Sequence, residues 1–251
     1  MKKILITLFL MAGFSCLSLN AQKTLRKPAK KPQKTQATTP SKPVKPQKGH
    51  SQSSVSLQAT GTINGHGYVD LGLSVKWATC DIGADSPSDY GSYFAWGETM
   101  TKSEYTQDNS VTYGKSFGDI SGDSRYDAAR ANWGGSWRLP TKTECEELIN
   151  KCRTKWTTYN NHKGLLVTGP NGNSIFLPAK GVFTGSSTKL VNDCGYCWSS
   201  TPIENDKKSV FPPICYAYEM HYTKYGYKPE PEFKMSWGNR DGGSSIRPVS
   251  E

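Results

Sequence analysis

Apolar residues fall into a helical rhythm at one place in this chain. Cys145, Leu148, Ile149 and Cys152 stand at i, i+3, i+4 and i+7, while Glu146, Glu147 and Lys151 take the polar face. Thr141 followed by Glu144 makes a capping box, and Pro140 cannot extend a helix backwards. The spacing predicts a helix over 141–153. Elsewhere the rhythm is short and two-residue. It predicts strands over 68–71, 75–78, 165–168, 174–177, 196–200, 216–222, 232–237 and 245–249, with the third and fourth joined by a Pro-Asn-Gly turn. Over 216–222, Tyr216, Tyr218, Met220 and Tyr222 alternate with Ala217, Glu219 and His221. The stretch 86–135 is long and turn-rich, with room for a short helix near 127–132. One main helix among many short strands and long ordered loops gives an α+β fold with a single core.

The first 62 residues break this pattern. An apolar run over 4–14 follows Lys2 and Lys3, and Asn20-Ala21 before Gln22 offers a small-residue cleavage site, so 1–21 reads as a signal peptide. A run of about eleven residues is too short to span a bilayer as a helix. Cys16 raises the rival reading of a lipid anchor. Phe14 and Ser15 make a poor lipoprotein signal, and Leu17-Ser18-Leu19 continues the signal peptide past it, so ordinary secretion or outer-surface display is expected. Residues 22–62 are rich in Lys, Pro, Thr, Ser and Gln with no acid and no aromatic, a composition that cannot bury enough surface to offset its chain entropy. They read as a disordered basic stalk ahead of one domain over 63–251.

Charge follows the same division. The chain holds 31 Lys and Arg against 21 Asp and Glu; the first 60 residues hold eleven of the bases and none of the acids, leaving 20 against 21 and a net −1 for the rest. The basic character belongs to the stalk, which suits contact with an anionic surface. Nucleic acid, which needs a basic folded face, is not an expected partner. No transmembrane helix is expected in the mature chain.

Six motifs occur in order: Trp77-Ala-Thr-Cys-Asp-Ile-Gly83, Tyr93-Phe-Ala-Trp-Gly-Glu98, Trp133-Gly-Gly-Ser-Trp-Arg-Leu-Pro-Thr141, Gly169-Pro-Asn-Gly-Asn-Ser-Ile-Phe-Leu-Pro178, Trp198-Ser-Ser200 and Ile246-Arg-Pro-Val249. Together, over about 66–250, they resemble the Fibrobacter succinogenes major paralogous domain family. The resemblance implies a C-type-lectin-like domain of twisted antiparallel strands, with a long loop region that presents a ligand surface. The Arg-Leu-Pro-Thr stretch also resembles the formylglycine-generating enzymes, which share the broader fold. Fold alone does not carry their chemistry.

Beyond Cys16 the chain has six cysteines, Cys80, Cys145, Cys152, Cys194, Cys197 and Cys215, an even number that in an exported domain favours disulfides. The family resemblance favours Cys80 to Cys152, the first inside the opening motif and the second at the end of the helix that the Trp133–Thr141 motif leads into. Cys194 or Cys197 is expected to pair with Cys215, and Cys145 has no assigned partner. Cys194-Gly-Tyr-Cys197 has no strand-helix surroundings of a redox motif and no second Cys-x-x-Cys for zinc.

Catalytic patterns are missing. His66, His162 and His221 stand in no metalloprotease frame, and there is no phosphate loop, nucleophile elbow or dinucleotide fingerprint. An enzyme is not expected, and neither is a cofactor. Calcium is the alternative weighed. Glu230-Pro231-Glu232 and Trp237-Gly-Asn-Arg-Asp241 only partly resemble the sugar-binding lectin loops, so those ligands are not carried over. Asp119, Asp123 and Asp127 could supply hard oxygens.

The C-terminal third offers a ligand surface. Tyr218, Tyr222, Tyr225 and Tyr227 have faces suited to sugar rings or a protein epitope, and Asn239, Arg240 and Asp241 offer directed hydrogen bonds. Trp198, Tyr216 and Trp237 join the aromatic set, and Trp198 and Trp237 are expected in the core. The sequence thus points to a non-catalytic binding module for a glycan or protein ligand. A structural surface component is the first alternative, and a metal- or cysteine-dependent enzyme the second. A deep pocket at the far end of the sheet, lined by ionisable groups with displaced titration points, would end the reading of a domain that holds something and transforms nothing.

Overall fold

The computed structural model describes residues 57–203, 213–224 and 230–251. Its two α-helices are α1 (Ala128–Trp133) and α2 (Lys142–Lys151). The capping box of α2 forms: Glu144 N–H donates to Thr141 Oγ1 at 3.3 Å, and Thr141 N–H donates to Glu144 Oε2 at 2.8 Å. Arg138 grips the same carboxylate with both terminal nitrogens, at 2.6 and 2.9 Å. The Arg-Leu-Pro-Thr motif thereby fixes the angle at which the chain turns into the helix. The helix stops short of the expected 153, because Cys152 is already extended and 153–159 is rich in β-branched and aromatic residues (Thr154, Trp156, Thr157, Thr158 and Tyr159), which suits a strand.

The strands are β1 (Gly61–Ile63), β2 (His66–Val69), β3 (Lys76–Ala78), β4 (Arg153–Tyr159), β5 (His162–Thr168), β6 (Ser174–Pro178), β7 (Val182–Thr184), β8 (Ser187–Lys189), β9 (Cys194–Pro202), β10 (Tyr216–Thr223), β11 (Glu232–Asn239) and β12 (Val249–Ser250). They form antiparallel sheets in the orders β1-β2-β3-β12, β4-β5-β6, β7-β8 and β11-β10-β9. The fold is therefore mostly antiparallel sheet with few helices. The predicted hairpin is β5–β6, with Val167 opposite Ile175. Strand β1 crosses the expected boundary at 62, paired to β2 through an Asn64-Gly65 turn in which both residues have positive φ. The last predicted strand shrinks to Val249–Ser250, and Ser244 and Ser245 make only isolated bridges.

The sheet β11-β10-β9 is a wall between two cores. Cys197, Met220 and Tyr222 belong to one cluster, with Leu148 of α2, Trp77, Leu165 and Leu177. Trp198 and Ala217 belong to the other, with Trp96, Trp133, Trp137 and Ala129 of α1. Consecutive residues of a strand point to opposite faces, so Cys197 and Trp198 serve different cores. At its Met220 end β10 buries its even-numbered face under α2; at its Ala217 end it buries the odd-numbered face and leaves Tyr216 and Tyr218 half open.

A buried ion pair ties the N-terminal sheet to the chain's end. Arg247 Nε donates to Asp81 Oδ1 at 2.7 Å with both side chains fully buried, and its other nitrogens donate to the carbonyls of Ala78, Thr79 and Phe176. Removing either partner would strand a charge in the interior, at a cost of about 3–5 kcal/mol.

All six cysteines of the described domain are free thiols, so the expected Cys80–Cys152 bridge is not made. Cys80 packs beside the tryptophan-rich cluster with its Sγ 3.3 Å from the Ala84 carbonyl, whereas Cys152 caps α2 beside the other cluster. Cys215 is likewise unbonded to Cys194 or Cys197, and Cys197 Sγ lies 3.0 Å from Ser245 Oγ. Cys145 is a buried core residue.

Candidate functional site

The predicted ligand residues separate into three groups. Tyr222 is fully buried, its hydroxyl donating to the Pro178 carbonyl at 3.0 Å, and its ring fills the place where a side chain at Gly195 would stand. Arg240 is buried too. Its guanidinium turns inward, donating to Tyr216 O at 3.0 Å and Lys115 O at 2.9 Å, and lies 4.4 Å over the Trp96 ring. Burial pulls its pKa down to about 10. Both residues are corrected from ligand contacts to structural ones. Tyr225 and Tyr227 lie outside the described residues. Tyr218, Asn239 and Asp241 remain, and they fall on two neighbouring surfaces.

The first surface is an aromatic ledge on the open end of β10 and β11. Trp237 is 59% exposed, against the expectation that it would be core, because α2 covers Met220 and Met235 but not the strand end beyond them. Its ring stands edge-on to Tyr216 at 4.9 Å, and Tyr218 is its cross-strand partner. Lys142 places its ammonium 4.4 Å over the Tyr218 ring. Asn239, exposed and opposite Tyr216, ends the ledge. Aromatic faces beside an amide and a cation suit the apolar face and hydroxyls of a sugar ring.

The second surface is a cavity of about 250 Å³ that adjoins the ledge at Trp237 and Asn239 and is lined also by Tyr196, Glu219, Asp241 and Ser244. Glu219 sits between Trp198 on β9 and Ser236 on β11. Its carboxyl occupies the space that a side chain at Gly238 would fill: a Cβ there would lie 2.8 Å from Cδ and from both oxygens. Ser244 Oγ donates to Glu219 Oε2 at 3.1 Å. With the side chain buried, desolvation pushes its pKa up to about 8, and the Ser244 bond only partly offsets this. Asp241 is also buried, and its Oδ1 has no hydrogen-bond partner. Burial raises its pKa as well, against a smaller opposing pull from Lys102.

Sequence reading missed Glu219, Ser244 and Gly238. The available signal was an acid inside an otherwise aromatic and apolar strand, with a glycine on the strand beside it. What hid it was the pleat, since a half-solvated sheet would put Glu219 in water.

The aspartates considered for calcium are committed to the backbone and to neighbours. Asp127 caps α1 through Ala129 and Arg130 N–H and holds Gly122 and Leu139 N–H with its other oxygen. Asp119 accepts from Thr201 and Ser121, and Asp123 is paired with Arg125. Among the described residues no cluster of three or more His, Cys, Asp or Glu is arranged to hold a metal ion. No described helix is long and apolar enough to cross a membrane.

Fold and site together define a mostly antiparallel β domain carrying an aromatic ledge and, beside it, a carboxyl-lined cavity. No family model, curated protein or solved structure matches the chain.

Proposed function

We propose that this chain is an exported, non-catalytic binding module of C-type-lectin-like type, related by its motifs to the Fibrobacter succinogenes major paralogous domain family, that recognises a glycan at a cell surface through the Tyr216–Tyr218–Trp237 ledge. The exposed Trp237 carries this reading. A large aromatic left in water beside two tyrosines and an amide costs solvation unless a partner covers it. The basic stretch before the domain would hold it away from, or against, an anionic surface. A protein ligand would use the same ledge. A glycan array probed with the full chain tests the reading: wild type should bind a defined set of sugars, and Trp237→Ala should weaken that binding about tenfold or more while the fold persists. Absence of binding to any sugar by folded wild type would favour a structural surface role.

Glu219 favours one second reading. A carboxyl still protonated near neutral pH is what a general acid requires, so carboxylate-dependent hydrolysis is the catalytic alternative. Acid–base pairs, however, have environments that push their two pKa values apart, and here burial pushes both Glu219 and Asp241 upward. That supports holding over hydrolysis. Turnover of any glycan bound on the array, lost in Glu219→Gln, would reverse the order of the two.

A further inference from the structure

The cavity beside the ledge is lined by two buried carboxyl groups and, among the described residues, by no cationic side chain. Asp241 Oδ1 is unpartnered on a side chain nine-tenths buried. Glu219 receives one bond from Ser244, whose hydroxyl is thereby used. The Trp198 indole N–H at the wall donates away from the cavity, to the Phe94 carbonyl at 2.8 Å. No Lys or Arg is among the described lining residues. Lys102 acts on Asp241 from outside the lining, and its ammonium is bonded to Glu98 and Asn109. Gly238 keeps the space over the Glu219 carboxyl clear. A ligand that satisfies both carboxyl groups at once must bring more than one donor. A hydroxyl brings one donor with lone pairs attached, whereas an ammonium brings three donors and no acceptor.

We propose that this cavity is a receptor for a primary ammonium group on a small organic ligand, held by the carboxyl groups of Glu219 and Asp241. The cavity borders the ledge and shares Trp237 and Asn239 with it, but the two carboxyl groups that would hold the ammonium belong to neither the tyrosines nor the tryptophan of the ledge, so failure of sugar recognition there would leave it standing. Occupancy carries a proton signature. The empty Glu219 keeps its proton at neutral pH, an ammonium favours the carboxylate, and the released proton passes to the buffer. Facing Glu219 are Tyr196 of β9, His221 on its own strand, and Ser244 and Asp241 from the turn after β11, with Lys102 beyond Asp241. None of these supplies a cation in direct contact with the carboxyl.

Calorimetric titration of the full chain tests this at about pH 6.5 in two buffers of different ionisation heat, so that proton release is read directly. The probes are ethanolamine, methyl glucosaminide and Nα-acetyl-lysine methylamide, each beside a neutral counterpart lacking the amine. The ammonium compounds should bind about tenfold or more tightly than the neutral ones and release about one proton per site. The tightest of the three identifies the source as a small amine, an amino sugar or a lysine side chain. Glu219→Gln should abolish the proton release, and Asp241→Asn should weaken binding while keeping it. Equal binding of the neutral counterparts, no binding of any ammonium compound by folded wild type, or proton release unchanged in Glu219→Gln would each overturn the proposal. The wild-type comparison decides even where a variant fails to fold.

Discussion

Glu219 makes protonation part of this fold's stability. Its pKa in the folded chain, about 8, lies above that of an unfolded glutamate, so the folded form keeps a proton that the unfolded form gives up from about pH 4.5 upward. The stabilisation is fully present below that unfolded value and is lost as pH rises through the folded one, at about 1.4 kcal/mol per pH unit. Glu219→Gln cannot titrate. Urea melts should therefore find it close to wild type near pH 5 and more stable by about 4 kcal/mol near pH 8.5; parallel pH profiles for the two proteins would contradict the burial argument. Gly238→Ala places a methyl against the same carboxyl and should cost about 1–3 kcal/mol by crowding. The thiols give another residue-level check. Burial raises the Cys152 thiol to about 11 and that of Cys197 to about 12, which slows alkylation in the folded state. Denatured without reductant, the domain should take up alkyl groups at all six positions from Cys80 to Cys215. Cys80 and Cys152 unmodified in a mass spectrum of that sample would restore the bridge.

At the scale of the element, α2 is the best-determined piece because its start is fixed several times over. Thr141→Ala removes one cap and should cost about 1 kcal/mol. Arg138→Lys should cost more than that single cap, since a point-like ammonium cannot reproduce the two-pronged grip on Glu144. Burial alone would raise the Glu144 pKa, yet the bonds from Arg138 and Thr141 hold it below the ordinary value. That contribution is present above the unfolded pKa and fades as pH falls through the folded one, so the Arg138→Lys deficit should shrink in acid melts. These same residues show what was legible beforehand. The helix, the β5–β6 hairpin and the strands β9, β10 and β11 announce themselves through local periodicity and turn chemistry. Strand β4 was missed because it follows the helix without a turn residue between them. The site was only half legible. Asn239 and Tyr218 are where a surface reading puts them, but Tyr222, Arg240 and Trp237 trade places between inside and outside. Which face of a strand is covered depends on α2 and on distant loops, and no local pattern in 216–239 records where that cover ends.

For the whole molecule, the exposed and buried aromatics predict opposite behaviour under substitution. Trp198→Ala opens a void beneath the Phe94 carbonyl and the tryptophan-rich cluster and should cost about 3–5 kcal/mol, whereas Trp237→Ala should leave the melting temperature nearly unchanged. A large loss of stability from Trp237→Ala would place that ring in the core after all. The wall formed by β9 and its neighbours has a wider consequence. Because adjacent side chains of one strand anchor opposite interiors, neither interior survives alone once that strand is pulled away. Heating should thus produce a single endotherm instead of two, and a nick in the turn-rich stretch before α1 should yield fragments that regain structure only when recombined.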